Sequence, residues 1–340
     1  MKKLLIIALL PLIIFLATSV QTKRTIELNE STSVWELLKA LGEPEPNHTV
    51  NTEVRGYSVA IGKVIVENGF GSVEGKKVRL QSKHFVCTSC HNITKEDPDL
   101  SKVDPQARLD YCAENGMPYL QGTTLYGAVN RMSFYNGDYE KKYGDLVTPA
   151  RNNLREAIQL CAVECSQGRR LNTMELESVL GYLWTLDLKL ADLNLKDEEF
   201  QKIESHLKDN SKDHTSAIAL LKSKYLQYSP AHFVAPPADR KKGNGLTGDL
   251  ENGKKFYETS CLHCHENERY SFFNLDDSKQ SFCYLNGRFG KYSHASVYQV
   301  ARWGTPPHPG KRAYMPQYTA EKMSEQQLAD LRAYIESRAE

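Results

Sequence analysis

Two pentapeptides of the form Cys-x-x-Cys-His limit what this chain can fold into more than any other feature. They span Cys87–His91 and Cys261–His265, in a sequence of 340 residues with eight cysteines and ten histidines. Two thiols at this spacing can each add to a vinyl group of a porphyrin, and the adjacent imidazole can bind its iron. A zinc site would use the four thiols but gives no reason for a histidine after each pair. The motifs therefore predict two covalently bound c-type haems.

The residues of the two motifs divide into two roles. The predicted attachment residues are Cys87, Cys90, Cys261 and Cys264, and the predicted proximal iron ligands are His91 and His265.

The N-terminus has the composition of an export signal. Lys2 and Lys3 precede an uncharged apolar run from Leu4 to Ala17, and small residues follow. This predicts a signal peptide at residues 1–19 and a periplasmic protein, which agrees with haem attachment outside the cytoplasm. The run of 14 residues is short for a bilayer-spanning helix, so an uncleaved membrane anchor is the second interpretation.

Charge and composition bear on the partners. The formal net charge is +1, with 40% hydrophobic and 25% charged residues, which is ordinary for a globular protein with room for two domains. There is no basic excess and no nucleic-acid motif, so we expect no nucleic acid as a partner.

A repeated helix pattern follows both motifs. Asn172 and Ser324 each begin a capping pattern, with Glu or Gln three residues later. The stripe behind each cap reads L-x-x-[LV]-x-[GA]-Y-[LI], with its tyrosine at Tyr182 and Tyr334. The repeat predicts an all-α protein of two small cytochrome c-like haem domains, each closed by an amphipathic helix. The predicted organisation is a signal peptide at 1–19, a first haem domain at 50–190, a helical and Pro/Gly-rich connector at 191–247, and a second haem domain at 248–340.

Other stretches carry local signals. Ser33, or Thr32 before it, is the predicted cap of a short helix that runs through Leu41. Residues 249–259 predict a helix leading into the second motif. Residues 56–69 fit helix and strand spacing equally. Alternating aromatic and charged residues at 134–143 indicate a loop that covers a ligand.

The sixth iron position of the second haem has one leading candidate. Met315 lies 50 residues after His265, in a Gly/Pro-rich loop before the closing helix. Its thioether suits a haem that transfers electrons. Met323 abuts the helix cap and is better explained as a core residue. His294 and His308 are the reserve ligands.

The sixth ligand of the first haem is open among several sulfur atoms. Met117 and Met132 are thioether candidates, and Met174 begins the closing helix, where a core role is expected. Cys161 and Cys165 lie at helical spacing and near one face.

Disulfides are the alternative use of the remaining thiols. The four cysteines outside the motifs, Cys112, Cys161, Cys165 and Cys283, could form two disulfides in an oxidising compartment. A direct bridge between Cys161 and Cys165 would strain a regular helix.

The stretch from Leu154 to Leu183 resembles a known family. Arg155-Glu-Ala-Ile158-x-x-Cys161, then Ser166-Gln-Gly168-Arg169-Arg170-Leu171 and the closing helix, look like the haem-1 domain of thiosulfate dehydrogenases and related sulfur-oxidising dihaem cytochromes. The similarity covers roughly residues 55–190. In that family, the cysteine before an S-x-N-G-K-x-L-like stretch ligates the catalytic haem. The chain departs from the pattern in its second cysteine and in a longer insert after the first motif.

The resemblance has consequences for ligands and chemistry. By position it makes Cys161 the iron ligand, which would leave Cys112 to pair with Cys165 and Cys283 unpaired. It also implies a small anionic sulfur-compound substrate, with Arg169 and Arg170 as the groups that would hold it.

Three functions follow. A thiolate ligand lowers a haem potential and His/Met ligation raises it, so electrons would run from the first haem to the second. The chain is then an electron carrier to a partner such as another cytochrome, an enzyme that joins two thiosulfates or does the reverse, or a redox subunit docked to a larger oxidase or reductase.

Overall fold

A computed structural model describes residues 28–209, 213–306 and 314–340. The predicted signal peptide and His308 lie outside these residues. The described chain is mostly helical with one short hairpin, which confirms the all-α prediction. Across these three ranges, every helix is too short or too polar to cross a bilayer.

The helices in chain order are α1 Val34–Ala40, α2 Val59–Asn68, α3 Pro105–Glu114, α4 Gly137–Tyr143, α5 Leu154–Leu160, α6 Thr173–Thr185, α7 Asp197–Lys208, α8 Thr215–Lys222, α9 Leu250–Phe256, α10 Leu262–His265, α11 Lys279–Phe289, α12 Val297–Trp303 and α13 Glu325–Ala339. The hairpin pairs β1 Gly71–Val73 antiparallel with β2 Lys76–Val78, and Ser72 lies opposite Lys77.

Side-chain caps fix the helix starts that the sequence predicted. Ser33 accepts a hydrogen bond from the Glu36 amide at the start of α1. The side chains of Asn172 and Ser324 each accept from the amide three residues later, and their own amides donate to the side chain of that residue, so both predicted capping boxes are present. The undecided stretch 56–69 is a helix, α2, because Ser58 caps its start and Gly69 ends it at φ +73°.

The prediction of a loop at 134–143 is wrong, because α4 occupies its second part. The side chain of Asn136 accepts hydrogen bonds from the amides of Asp138 and Tyr139 and so starts the helix. Tyr139 then packs edge-on against Tyr135, with the ring centroids 4.9 Å apart. The stretch nevertheless lines a cavity, as its aromatic content indicated.

The N-terminal half carries the first motif and the C-terminal half carries the second. In each half, one glycine lets the helix that precedes the motif pack closely against the closing helix. A Cβ on Gly62 of α2 would lie 1.8 Å from the Ser178 carbonyl oxygen of α6. A Cβ on Gly253 of α9 would lie 2.0 Å from the Asp330 oxygen of α13. Only glycine permits such a close crossing, so the sequence repeat corresponds to a repeated helix crossing.

Three clusters of buried apolar residues make up the core. The N-terminal cluster joins α2 and α6, for example through Ile65 and Leu180. The C-terminal cluster joins α9, α11 and α13. The third joins α1 to α7 and α8 through Val34, Ile203 and Leu221. Helices α7 and α8 of the predicted connector 191–247 therefore share a core with α1, which precedes residue 50. The domain boundaries themselves stay a prediction.

The insert after the first motif connects the two halves. Leu109, Cys112 and Tyr119 belong to the C-terminal cluster. The Tyr119 amide donates to the Thr259 carbonyl oxygen at 3.0 Å, and the Ser260 hydroxyl donates to the Tyr119 carbonyl oxygen at 2.7 Å. The extra residues of this chain thus serve as the contact between the two halves.

Candidate functional site

The first Cys-x-x-Cys-His motif borders the main cavity. Residues Cys87–Ser89 form a 3₁₀ turn, and Cys87, Cys90 and His91 line a cavity of about 740 Å³. Most of its other walls are apolar or aromatic, including Leu154 and Leu183. An apolar chamber with two thiols and one imidazole at its edge suits a porphyrin.

The ring of His91 is oriented for metal binding. Its Nδ1 lies 2.6 Å from the carbonyl oxygen of Thr123 and so carries the proton, which leaves Nε2 free. Gly122 allows this approach, because a Cβ there would lie 2.6 Å from Nδ1 and 2.4 Å from the Cys90 carbonyl oxygen. Burial lowers the pKa of His91. The imidazole is therefore held neutral, as an iron ligand must be.

Cys161 faces the free nitrogen of His91. The Cys161 Sγ lies 3.9 Å from His91 Nε2. A thiolate and an imidazole are both ligands that haem iron accepts. His91 and Cys161 are therefore the residues that would hold the iron of a haem bound in this cavity.

A π turn positions Cys161. Helix α5 continues into a π turn over Cys161–Cys165, where the Ser166 amide donates to the Cys161 carbonyl oxygen at 2.8 Å, five residues back. Such turns occur often at functional sites. Cys161 and Cys165 both line the cavity, so the prediction that they share a face is confirmed. The strain argument against bridging them assumed a regular helix, which is not present here.

The pairing of Cys112 with Cys165 is wrong. All eight cysteines lie in the described residues and all are free. Cys112 is fully buried in the C-terminal cluster and donates to the Glu96 carbonyl oxygen at 3.8 Å. Cys165 instead lies in the cavity beside Cys161, and this neighbour together with burial raises its pKa well above the ordinary value.

The methionine candidates of the first half lie elsewhere. Met117 accepts a hydrogen bond from the Thr94 hydroxyl at 3.0 Å and packs on the C-terminal cluster. Met132 is 45% exposed. Met174 packs against the N-terminal cluster, as expected for a core residue. The cavity lining contains none of them, so Cys161 and Cys165 are the sulfur candidates that remain.

The structure places Arg169 and Arg170 outside the cavity lining. Arg169 binds both carboxylate oxygens of Glu175 at 2.6 and 2.7 Å and the Leu80 carbonyl oxygen at 2.9 Å. Arg170 is exposed and lies 3.6 Å from Glu156. Their predicted contact with a substrate gains no support from this geometry, since Arg169 is committed to holding the start of α6.

The second motif repeats the histidine arrangement of the first. A π turn over Tyr257–Cys261 leads into α10, which carries Cys264 and His265. The His265 Nδ1 lies 3.4 Å from the Phe273 carbonyl oxygen, and the two rings pack with centroids 4.5 Å apart. Burial lowers the pKa of His265. Burial also raises the pKa of Cys261 to about 12 and that of Cys264 to about 11.

Met315 is held in a fixed position near this motif. It packs against the C-terminal cluster, as do Cys261 and Leu262. Its amide donates to the Thr305 hydroxyl at 2.8 Å, and its carbonyl oxygen accepts from the Thr305 amide at 2.9 Å. Gly304, at φ +69°, lets these backbones approach. The reserve ligand His294 lines the first cavity instead.

Sequence reasoning missed the residues that the C-terminal half contributes to the first cavity. Trp303, Thr305 and Tyr314 are part of its wall. Tyr314 directly precedes Met315, and its ring meets Phe85 edge-on at 5.7 Å. The loop that carries Met315 therefore also closes the first cavity. No local signal could show this, because the contact joins residues more than 200 positions apart.

The two motifs are linked by a short segment. The insert bonds to Thr259 and Ser260, the residues just before the second motif. Three positions after Tyr119, the Gly122 amide donates to the Cys90 carbonyl oxygen at 3.0 Å. Residues 119–122 of the insert therefore bond to the segments that carry both motifs, which makes the two attachment sites neighbours.

Comparison with known proteins gives a family match for the segment that contains the second motif. Residues 248–335 match the family described as cytochrome c oxidase, cbb3-type, subunit III. This part of the chain is a c-type cytochrome domain, whose cofactor is covalently bound haem and whose chemistry is electron transfer. Neither the curated proteins nor the solved structures include a significant match to the chain.

Proposed function

We propose that this chain is an exported dihaem cytochrome in which electrons enter at the first motif and leave from the second. One observation carries the proposal. In each motif the histidine points Nδ1 at a backbone carbonyl oxygen, Thr123 in the first and Phe273 in the second, and keeps Nε2 free. The first half thus repeats the arrangement found inside the matched cytochrome domain.

The different iron ligands proposed for the two haems give electron transfer a direction. A bound c-type haem supplies a one-electron couple whose potential depends on its axial ligands. Cys161, which faces His91, would supply a sulfur ligand that lowers the potential of a haem held there. Met315 in the second half would supply a thioether, which raises the potential of the second haem. Electrons at the first site would therefore move to the second and then to a protein partner such as another cytochrome.

Haem stoichiometry tests the proposal. The full chain, produced with a haem-attachment system, should keep two haems by mass after denaturation. The double variant Cys87→Ala/Cys90→Ala should keep one, and Cys261→Ala/Cys264→Ala should keep the other. If the wild type carries a single haem that survives the first double variant, the first site binds no haem and the proposal fails.

A second candidate function is oxidation of a sulfur compound at the first site. It is favoured by a cysteine that faces the proximal-type histidine of the first motif at the wall of the cavity. Purified dihaem protein should then show thiosulfate- or tetrathionate-dependent turnover with an electron acceptor. A carrier, or a subunit docked to a larger oxidase or reductase, should exchange electrons with its partner but show no such turnover.

A further inference from the structure

Two basic side chains line the first cavity, and both come from the insert between the first motif and Cys161. They are Arg131 and Lys142. Among the described residues of the lining, no other lysine or arginine occurs. A positive charge in a largely apolar chamber is costly unless an anion accompanies it.

The ammonium group of Lys142 is buried without a polar partner. Its Nζ makes no hydrogen bond and no ion pair within the described chain. It lies over the ring of Phe233 at 4.4 Å, with the rings of Tyr143 and Trp303 at 5.3 and 5.4 Å. Aromatic faces compensate only part of its lost hydration. Burial accordingly lowers the pKa of Lys142 to about 8.

Arg131 has no ion-pair partner among the described residues either, unlike four other buried or partly buried arginines. Arg108, Arg155, Arg169 and Arg302 each form an ion pair with a glutamate. The guanidinium of Arg131 has no such bond in the described residues, although the charges of Glu96 and Asp97 act on it. Burial lowers its pKa, yet an arginine stays charged.

The surroundings of Lys142 are partly exposed to solvent. Tyr143 and Trp303, whose rings flank its Nζ, are 37% and 49% exposed. Lys142 therefore lies on a part of the cavity wall that is next to solvent.

We propose that Lys142 binds a small sulfur oxyanion in the first cavity, whose wall also carries the charge of Arg131. This inference rests on the second candidate function and replaces Arg169 and Arg170 as the substrate-binding groups. The carboxylates of the haem propionates are also oxyanions that Lys142 would bind. The experiment distinguishes these carboxylates from a free sulfur oxyanion.

The direct test is equilibrium binding of thiosulfate to the oxidised dihaem protein. Binding is measured by calorimetry or by the change in the haem spectrum. Lys142→Met keeps the apolar stem and removes the charge. It should weaken binding about tenfold or more, as expected for a lost charge-assisted hydrogen bond. Lys142→Arg should restore most of the affinity. Lys141→Met is the matched control, because Lys141 is 81% exposed and paired with Asp138 at 2.9 Å.

The outcomes are distinct. If Lys142→Met binds thiosulfate normally but loses haem or shifts its potential, Lys142 serves a propionate and the inference is overturned. It is also overturned if the wild type binds no thiosulfate, or if Lys141→Met weakens binding as much. If binding depends on Lys142 while no turnover occurs, the anion site stands and the sulfur-oxidising function fails.

Discussion

At the scale of single residues, substitutions of Cys161 and Cys165 should have different effects on the first haem, although both side chains line one cavity. Cys161→Met replaces the sulfur that lies 3.9 Å from His91 Nε2. It should remove the thiolate-type low-spin signal in electron paramagnetic resonance. It should also raise the potential of one haem by a sizeable part of the roughly 0.8 V range that axial ligands span.

Cys165→Ser is the control for this change. The signal should persist, and the free energy of unfolding should change little. Cys165 is free in the structure, so no disulfide contribution of about 2–4 kcal/mol is lost. A signal that survives Cys161→Met and vanishes in Cys165→Ser would reverse the ligand assignment.

Gly122 offers a second prediction at the same scale. Gly122→Ala would place a Cβ 2.4 Å from the Cys90 carbonyl oxygen and 2.6 Å from His91 Nδ1. The collision must displace the ligand ring, so we expect a loss of about 1–3 kcal/mol in stability and a disturbed first haem. Gly137→Ala has nothing within 4 Å and should be neutral. Equal effects of the two changes on the first haem's spectrum would contradict this account.

At the scale of elements, local signals predicted helices well where a cap accompanied them. The boxes at Asn172 and Ser324 are present because the cap and its partner lie three residues apart. Helix α4 was missed because its seven residues contain no aliphatic side chain, so only Tyr139 and Tyr143 mark the face that lines the cavity. The π turn at Cys161–Cys165 depends on one extra residue in the turn, which spacing alone does not reveal.

A buried ion cluster ties three elements together and gives a prediction at this scale. Glu96 follows the first motif, Arg108 lies on α3, and Lys322 precedes α13. The Glu96 carboxylate lies 3.2 Å from Arg108 and 3.1 Å from Lys322, and all three side chains are buried. Glu96→Gln leaves two buried cations unpaired, so we expect a loss of about 3–5 kcal/mol in urea unfolding. Glu45→Gln, which breaks an exposed pair with Lys39, should cost less than about 1 kcal/mol.

The same cluster makes stability depend on pH. Burial alone would raise the pKa of Glu96, but Arg108 and Lys322 outweigh it and hold the pKa well below its ordinary value of 4.5. The stabilisation is therefore complete above pH 4.5 and is lost as the pH falls from there toward the lower pKa of the folded state. Unfolding followed at several acidic pH values should show this loss in the wild type. Glu96→Gln should show a shallower dependence, and an unchanged one would count against the cluster.

At the scale of the whole molecule, the sequence predicted two haem sites but not how they meet. The attachment residues and both histidines follow from two short motifs, so they could be read directly. The contact of Tyr119 with Thr259, and of Tyr314 with Phe85, joins positions far apart along the chain. Such contacts depend on tertiary packing, which no local pattern records. For the same reason, the predicted domain boundaries could not show that α1 packs with α7 and α8.

The neighbouring attachment sites lead to a prediction for the molecule as a redox unit. Met315 is the proposed thioether of the second haem, held by Thr305 in the loop that also closes the first cavity. Met315→Leu should abolish the weak far-red absorption band of a His/Met haem and lower the potential of that haem. The difference in reduction potential between the two haems then becomes smaller. Electron transfer from the first haem to the second should therefore be less complete in a spectroelectrochemical titration.

Met132→Leu is the matched change for Met315, since Met132 is 45% exposed and lies outside the first cavity's lining. It should leave the far-red band and both potentials as they are in the wild type. The decisive comparison is the band itself, because it reports sulfur on iron directly. If it survives Met315→Leu and disappears in Met132→Leu, the thioether belongs to the first half, and the direction of electron flow through the molecule must be reversed.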